Sequence, residues 1–126
     1  MNEAAKAWVD ALRSGRFRQA RHALRVLDYD SRLPSLCCLG VACEISGLGK
    51  WEKENLFCES GGDSTDDFLS RNVAKRLGMR TSDGKITLDG AETSLAFLND
   101  KHWKSFPEIA DVIEANADQL FVVDGT

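Results

Sequence analysis

The segment Leu36-Cys37-Cys38-Leu39-Gly40-Val41-Ala42-Cys43-Glu44-Ile45 sets three thiols and a glycine in an apolar run that carries one charge. Two chemistries fit. A cysteine at the start of a helix feels the positive end of the helix dipole, which lowers a thiol pKa and makes a nucleophile. Such a nucleophile needs a base, and the chain has only His22, among arginines, and His102, beside Trp103 in a lysine-rich stretch. Their spacing from the cysteines matches no cysteine-hydrolase signature. The second chemistry is that of a helix hydrophobic nearly all round, in which cysteines serve as small core residues and Gly40 lets a neighbour approach. The second reading is preferred. Metal binding is not expected, because Cys37, Cys38, Cys43 and Cys58 lack paired Cys-x-x-Cys spacing and adjacent thiols on a helix point about 100° apart. No cofactor is expected either.

The other candidate chemistry is anion binding. Residues 1–33 carry seven basic side chains, six of them arginine, against four acidic ones, a local +3, while the remainder stands at −7 for a net charge of −4. Phe17, Ala20, Leu24 and Leu27 recur at helical spacing and predict a helix from about Phe17 to Leu27, on which Arg18, Arg21, His22 and Arg25 share one face. Crowding like charges there is destabilising unless something anionic offsets it. Guanidinium groups suit bidentate contact with phosphate, and Phe17, Trp8 or Trp51 could stack a base. The candidate ligand-contacting residues are Arg18, Gln19, Arg21 and Arg25, with Asn99 and Asp100. A solvated helix face and a helix-ending turn are the alternatives. A basic recognition helix of a helix-turn-helix would use the same arginines, although overall acidity argues against strong non-specific affinity for DNA.

The elements that must position these residues read mostly as helices. Asn2 or Glu3 opens a helix with Trp8, Val9 and Leu12 on one stripe, ending near Ser14-Gly15. Ser35 is the expected N-cap of the cysteine-rich helix, and Gly47 or Gly49 its stop, after a turn at Tyr29 to Pro34. Trp51 to Cys58 suits a short strand, and Gly61 to Asp67 an exposed acidic loop. Ser64 or Thr65 is expected to cap a helix to Leu77 that buries Phe68, Leu69, Val73 and Leu77, with Gly78 beyond. Asp83-Gly84 turns into a strand Lys85 to Leu88, half of a hairpin. A short helix is expected at Thr93 to Leu98. Ser105-Phe106-Pro107-Glu108 is a capping box for a helix carrying Ile109, Val112 and Ile113, and Leu120 to Val123 could form an edge strand.

The chain has 126 residues, 43% hydrophobic and 29% charged, enough for one domain with its own core and against wholesale disorder. No apolar run approaches the ~20 residues that span a bilayer. Asn2, Glu3 and Lys6 interrupt any signal-peptide core, so the cysteines are expected to sit reduced in a cytosol.

Trp8-Val9-Asp10-Ala11-Leu12-Arg13-Ser14-Gly15, Gln19, Leu24-Arg25, Cys37-Cys38-Leu39-Gly40-Val41 with Cys43, Leu98-Asn99-Asp100, and Ser105-Phe106 with Glu108-Ile109-Ala110-Asp111 together resemble a family of small proteins of tailed bacteriophages and prophages. None of these motifs is a known catalytic signature. The chain departs from the family pattern at Phe17, at Ala20 to His22, and in the insertion-like stretch Tyr29 to Leu33. The resemblance implies a non-catalytic accessory protein of the infected bacterial cytoplasm that blunts host antiviral defence, by sequestering a nucleotide immune signal or by blocking a host defence protein. The expected fold is α+β, a mainly helical single compact domain with a small antiparallel sheet. A homo-oligomer is a further option. A small DNA-binding phage regulator is the alternative from another class, with nucleic acid not the expected partner, and a cysteine-dependent hydrolase is the more distant one.

Overall fold

A computed structural model describes residues 1–60 and 62–122. In chain order the elements are α1 (Glu3–Arg13), β1 (Arg18–Gln19), β2 (Arg25–Leu27), β3 (Pro34–Leu36), α2 (Cys38–Ser46), β4 (Gly49–Glu52), β5 (Leu56–Glu59), β6 (Ser64–Thr65), α3 (Arg71–Leu77), β7 (Lys85–Leu88), β8 (Ala91–Ser94), α4 (Leu95–Asp100), α5 (Phe106–Ala115) and α6 (Ala117–Leu120). Helix takes 39% and strand 23%, the balance of an ordinary mixed domain, so the expected mainly helical fold with one small antiparallel sheet is corrected. Among the described residues there are three sheets instead, ordered β1-β3-β2, β4-β5-β6 and β7-β8, and the first is mixed because β1 runs parallel to β3. No helix among the described residues is long and apolar enough to cross a membrane.

The cysteine-rich run forms α2 at the centre. Cys38, Leu39, Val41, Ala42 and Cys43 are all buried, and Gly40 packs directly on the backbone of Leu24. Its N-cap is Cys37, whose Sγ accepts a hydrogen bond from the Gly40 amide at 3.3 Å, while the expected cap Ser35 lies in β3. Gly47, left-handed at φ 71°, ends the helix as expected. Trp8 of α1 crosses beneath, fully buried, and its Nε1–H donates to the Cys38 carbonyl at 2.9 Å, so the largest core side chain also closes a polar group of the central helix.

α1 buries the predicted Trp8, Val9 and Leu12 stripe, with the Asn2 side chain accepting the Ala5 amide at its N-terminus. Arg13, in its last turn, reaches Asp111 and Glu114 of α5, each at 2.7 Å. The capping box of α5 is formed on both sides: the Glu108 amide donates to Ser105 Oγ at 3.3 Å and the Ser105 amide to Glu108 Oε1 at 3.0 Å. Backbone donation from Ser105 holds the Glu108 carboxyl below its ordinary range, and the Arg13 guanidinium does the same for Glu114. A depressed carboxyl contributes stability above its unfolded pKa, near 4.3, and loses it as pH falls through the lower folded value. Melting temperature should therefore decline as pH falls below about 4. In Glu108→Gln and Glu114→Gln combined that acid slope should be shallower, which a thermal scan against pH measures.

Five sequence expectations give way elsewhere. The helix expected from Phe17 to Leu27 does not form. The Ala20 amide donates to the Leu36 carbonyl at 2.8 Å, the Ala20 carbonyl accepts from Asn99, the Leu24 carbonyl accepts the Cys37 amide at 3.1 Å, and His22 sits at φ 70°, outside helical space. Backbone groups that a helix would pair within the segment are taken by β3, α2 and α4, and the like-charge crowding of that helix face disappears. The helix expected from a cap at Ser64 or Thr65 has its N-cap at Ser70 and starts at Arg71, because Ser64–Thr65 pairs with β5, and Phe68 is 40% exposed instead of buried. Trp51 to Cys58 is a hairpin, β4–β5, not one strand, and the cross-strand partners Trp51 and Phe57 meet edge to face with ring centroids 5.1 Å apart. Thr93 belongs to β8, and α4 starts after Ser94, its N-cap. Of the expected last strand, Leu120 ends α6, Phe121 makes an isolated bridge to Met79, and Val123 lies outside the described residues.

Candidate functional site

Asn99 organises the site. It is 0% exposed and uses all of its amide capacity: Oδ1 accepts from Gln19 Nε2 at 2.8 Å and from the Cys38 amide at 3.2 Å, and Nδ2 donates to the Ala20 carbonyl and to Asp100 Oδ1, each at 2.9 Å. Gln19 Nε2 also donates to the Lys104 carbonyl at 2.7 Å, and the His22 amide donates to Asp100 Oδ1 at 2.9 Å. One buried amide thus pins the chain from Gln19 to His22 against the end of α4 and against the N-terminus of α2. Asparagine suits the position because two donors and two acceptor lone pairs on one planar group match four fixed partners.

What this frame presents is Arg21. Its guanidinium carbon lies 4.0 Å from the centroid of the Trp103 indole, a close cation–π contact. Its Nε is buried with no hydrogen-bond partner, and no carboxylate among the described residues pairs with it. Trp103 remains 68% exposed. It occupies φ 57° and His22 φ 70°, two non-glycine residues in left-handed backbone at one place, a conformation that persists only where surroundings impose it. Phe97 and His102 meet edge to face at 5.0 Å beside it, and Lys101 and Lys104 flank the indole in sequence. Asp100, the nearby carboxylate, already accepts the His22 amide and Asn99. The outcome is a largely exposed indole with an arginine stacked on it and a lysine on either side in the nearby sequence, suited to a planar, anionic ligand.

Of the residues expected to contact a ligand, Gln19, Arg21, Asn99 and Asp100 come together. Of these, only the half-buried Arg21 is left without a hydrogen-bond partner; Gln19, Asn99 and Asp100 are consumed in the frame. Arg18 and Arg25 are elsewhere, which corrects the shared helix face. Across the first sheet Arg18 aligns with Ser35 and Val26, while Arg25 aligns with Leu36 and Gln19, and alternate residues of a strand face opposite sides. Arg25 lies 5.5 Å from the Trp51 ring and donates from Nη1 to the Glu54 carbonyl at 3.2 Å. Trp103 is the residue that sequence reasoning missed. Its signal was local: an indole between His102 and Lys104, with no apolar periodicity to bury it.

The thiols do not form a reactive site. Burial pushes Cys37 and Cys43 each up to about 12 and Cys38 well above its ordinary value, so the thiolate needed for attack is disfavoured. Cys58, half-buried with Ser64 Oγ 3.1 Å from its sulfur, is the accessible one. In the native protein a thiol-reactive chromophore should label one cysteine quickly and all four only after denaturation; rapid native labelling of three or more would contradict the packing of α2. Among the described residues no three His, Cys, Asp or Glu side chains converge as a metal site.

A family model described as a domain of unknown function, DUF8296, matches residues 1–117. The chain belongs to this family. The matched span contains the whole Asn99 frame together with Arg21 and Trp103, so the platform lies inside the DUF8296 domain. No curated protein and no solved structure matches the chain.

Proposed function

We propose that this DUF8296 chain is a non-catalytic binding protein that captures a nucleotide ligand on the Arg21–Trp103 platform. In the phage setting that the sequence resemblance implies, the ligand is a nucleotide immune signal in the cytoplasm of an infected bacterium, and its capture counters host defence. The observation that carries this reading is the unpaired Arg21 guanidinium stacked on a largely exposed indole. A base stacks on Trp103, and its phosphates reach Arg21, Lys101 and Lys104. Stacking is worth about 1–3 kcal/mol per base, and a hydrogen bond to a charged group about 1.5–3 kcal/mol.

The test is equilibrium titration with a panel of mononucleotides and cyclic nucleotides, followed by denaturation and recovery of the ligand. At least one should bind saturably and return unaltered, and Trp103→Ala and Arg21→Gln should each weaken it by roughly tenfold or more. Binding that ignores both substitutions, or a ligand returned chemically changed, would sink the proposal. The DNA-regulator reading loses its support, because residues 17–27 supply no recognition helix. Direct blocking of a host defence protein is the outcome to pursue if no nucleotide binds.

A further inference from the structure

Helices α1, α2 and α3 meet at a corner that their side chains do not fill. Ala4 and Ala7 of α1, Ala42 and Ile45 of α2, and Val73 and Leu77 of α3 line a hollow of about 170 Å³. Its bottom is core, since Ala42, Val73 and Leu77 are buried, while Ala7 is exposed and opens the hollow to solvent. Three alanines supply too little side chain to close the space between the helices, where protein interiors ordinarily leave few voids larger than a water molecule. An apolar recess of this size suits a compact apolar group: a protein cavity of about 150 Å³ lined by apolar side chains stays dry and takes benzene. It is too small for a nucleotide, because pockets for drug-sized ligands run upward from about 300 Å³.

One charge stands in the lining. Arg76 Nη1 donates to the Ser46 carbonyl at 2.8 Å, at the C-terminal end of α2, where the helix dipole favours a cation. That bond holds the guanidinium at the mouth, and its Nε and Nη2 have no partner among the described residues. Arg76 enters no ion pair among the described residues, and no carboxylate lines the hollow. The carboxylates of the same helices, Glu3, Asp10 and Glu44, are exposed and lie outside the lining, as do Lys6, Arg71 and Lys75, so solvent screens them from a group seated at Arg76.

We propose that this corner binds a small monocarboxylate with a compact apolar body, a phenyl or branched alkyl group. The body sits between α1, α2 and α3, and the carboxylate meets the free edge of Arg76. Guanidinium and carboxylate are planar and match in a two-point, charge-assisted contact, which a neutral head makes weakly and a cationic head not at all. The site shares no residue with the Arg21–Trp103 platform and takes another class of ligand, so it does not depend on the proposed function.

Titration of the full chain with benzoate, benzamide and benzylamine, followed through the methyl signals of Ile45, Val73 and Leu77, tests the assignment. Benzoate should move those signals saturably with a Kd of about 1 mM or tighter, benzamide should bind roughly fivefold or more weakly, and benzylamine should not bind. Ala7→Leu extends a branched side chain into the hollow and should abolish binding. It should melt no lower than the parent, because position 7 is exposed and both residues are strong helix formers. Arg76→Gln should reduce benzoate to the affinity of benzamide while the recess stays open. Methyl signals of the parent that stay still at about 10 mM benzoate, benzoate binding that survives Ala7→Leu, or a parent that binds benzoate and benzamide alike overturns the proposal.

Discussion

Replacing Gly40 with alanine, a single added methyl, is expected to destabilise the protein by about 3 kcal/mol or more, at or beyond the upper end for overpacking a core. The new Cβ would fall inside the contact distance of the Leu24 carbonyl oxygen and 3.0 Å from its carbonyl carbon. These are backbone atoms, and the same carbonyl accepts the Cys37 amide at the start of α2, so it cannot swing away without breaking that bond. The surroundings leave no slack: Leu24 and the neighbours of Gly40 in α2, Leu39 and Val41, are all 0% exposed. Leucine at position 40 should be worse still. Denaturant unfolding measures the loss; a Gly40→Ala protein with parental stability would mean that α2 does not meet Leu24 as described.

Asn99→Leu should cost a similar amount and abolish ligand capture with it. The substitution keeps the branched shape, with somewhat larger bulk, but strips partners from the Cys38 amide, the Ala20 carbonyl and Gln19, and each buried polar group left unsatisfied costs about 1–3 kcal/mol. Asn99→Asp is the sharper probe. It retains the acceptor for Gln19 and Cys38 but turns a donor into a carboxylate oxygen facing the Ala20 carbonyl and Asp100, so the chain from Ala20 to His22 should detach while α2 stays capped. We expect hydrogen exchange to rise selectively at residues 20–24 in Asn99→Asp. Uniform exchange across the chain would contradict the role assigned to Asn99.

The parts of this fold legible in the sequence are those fixed by local chemistry. The capping box at Ser105 and Glu108, the α1 stripe, the left-handed stop at Gly47 and the β7–β8 hairpin each depend on residues within one or two turns of each other. The arginine segment was misread because its helical spacing of Phe17, Ala20, Leu24 and Leu27 is outweighed by partners far along the chain. Leu36, Cys37 and Asn99 claim its backbone groups, at separations no local pattern reports. The same distance hid the site. Arg21 and Asn99 could be picked out one by one, but that Asn99 spends its whole amide on framing Arg21, and that Trp103 completes the pair, follows only from the tertiary structure.

Nucleotide capture on the Arg21–Trp103 platform can be read from a titration followed through the three indole N–H signals of the protein. The three tryptophans are internal controls for one another: Trp8 Nε1–H is buried on the Cys38 carbonyl, Trp51 Nε1–H is bonded to Glu44, and Trp103 is exposed on Arg21. With signals assigned by Trp103→Phe and Trp51→Phe, the Trp103 resonance alone is expected to shift saturably as ligand is added. A panel of nucleotides that leaves Trp103 unmoved at millimolar concentration, or that moves Trp51 in its place, would contradict it.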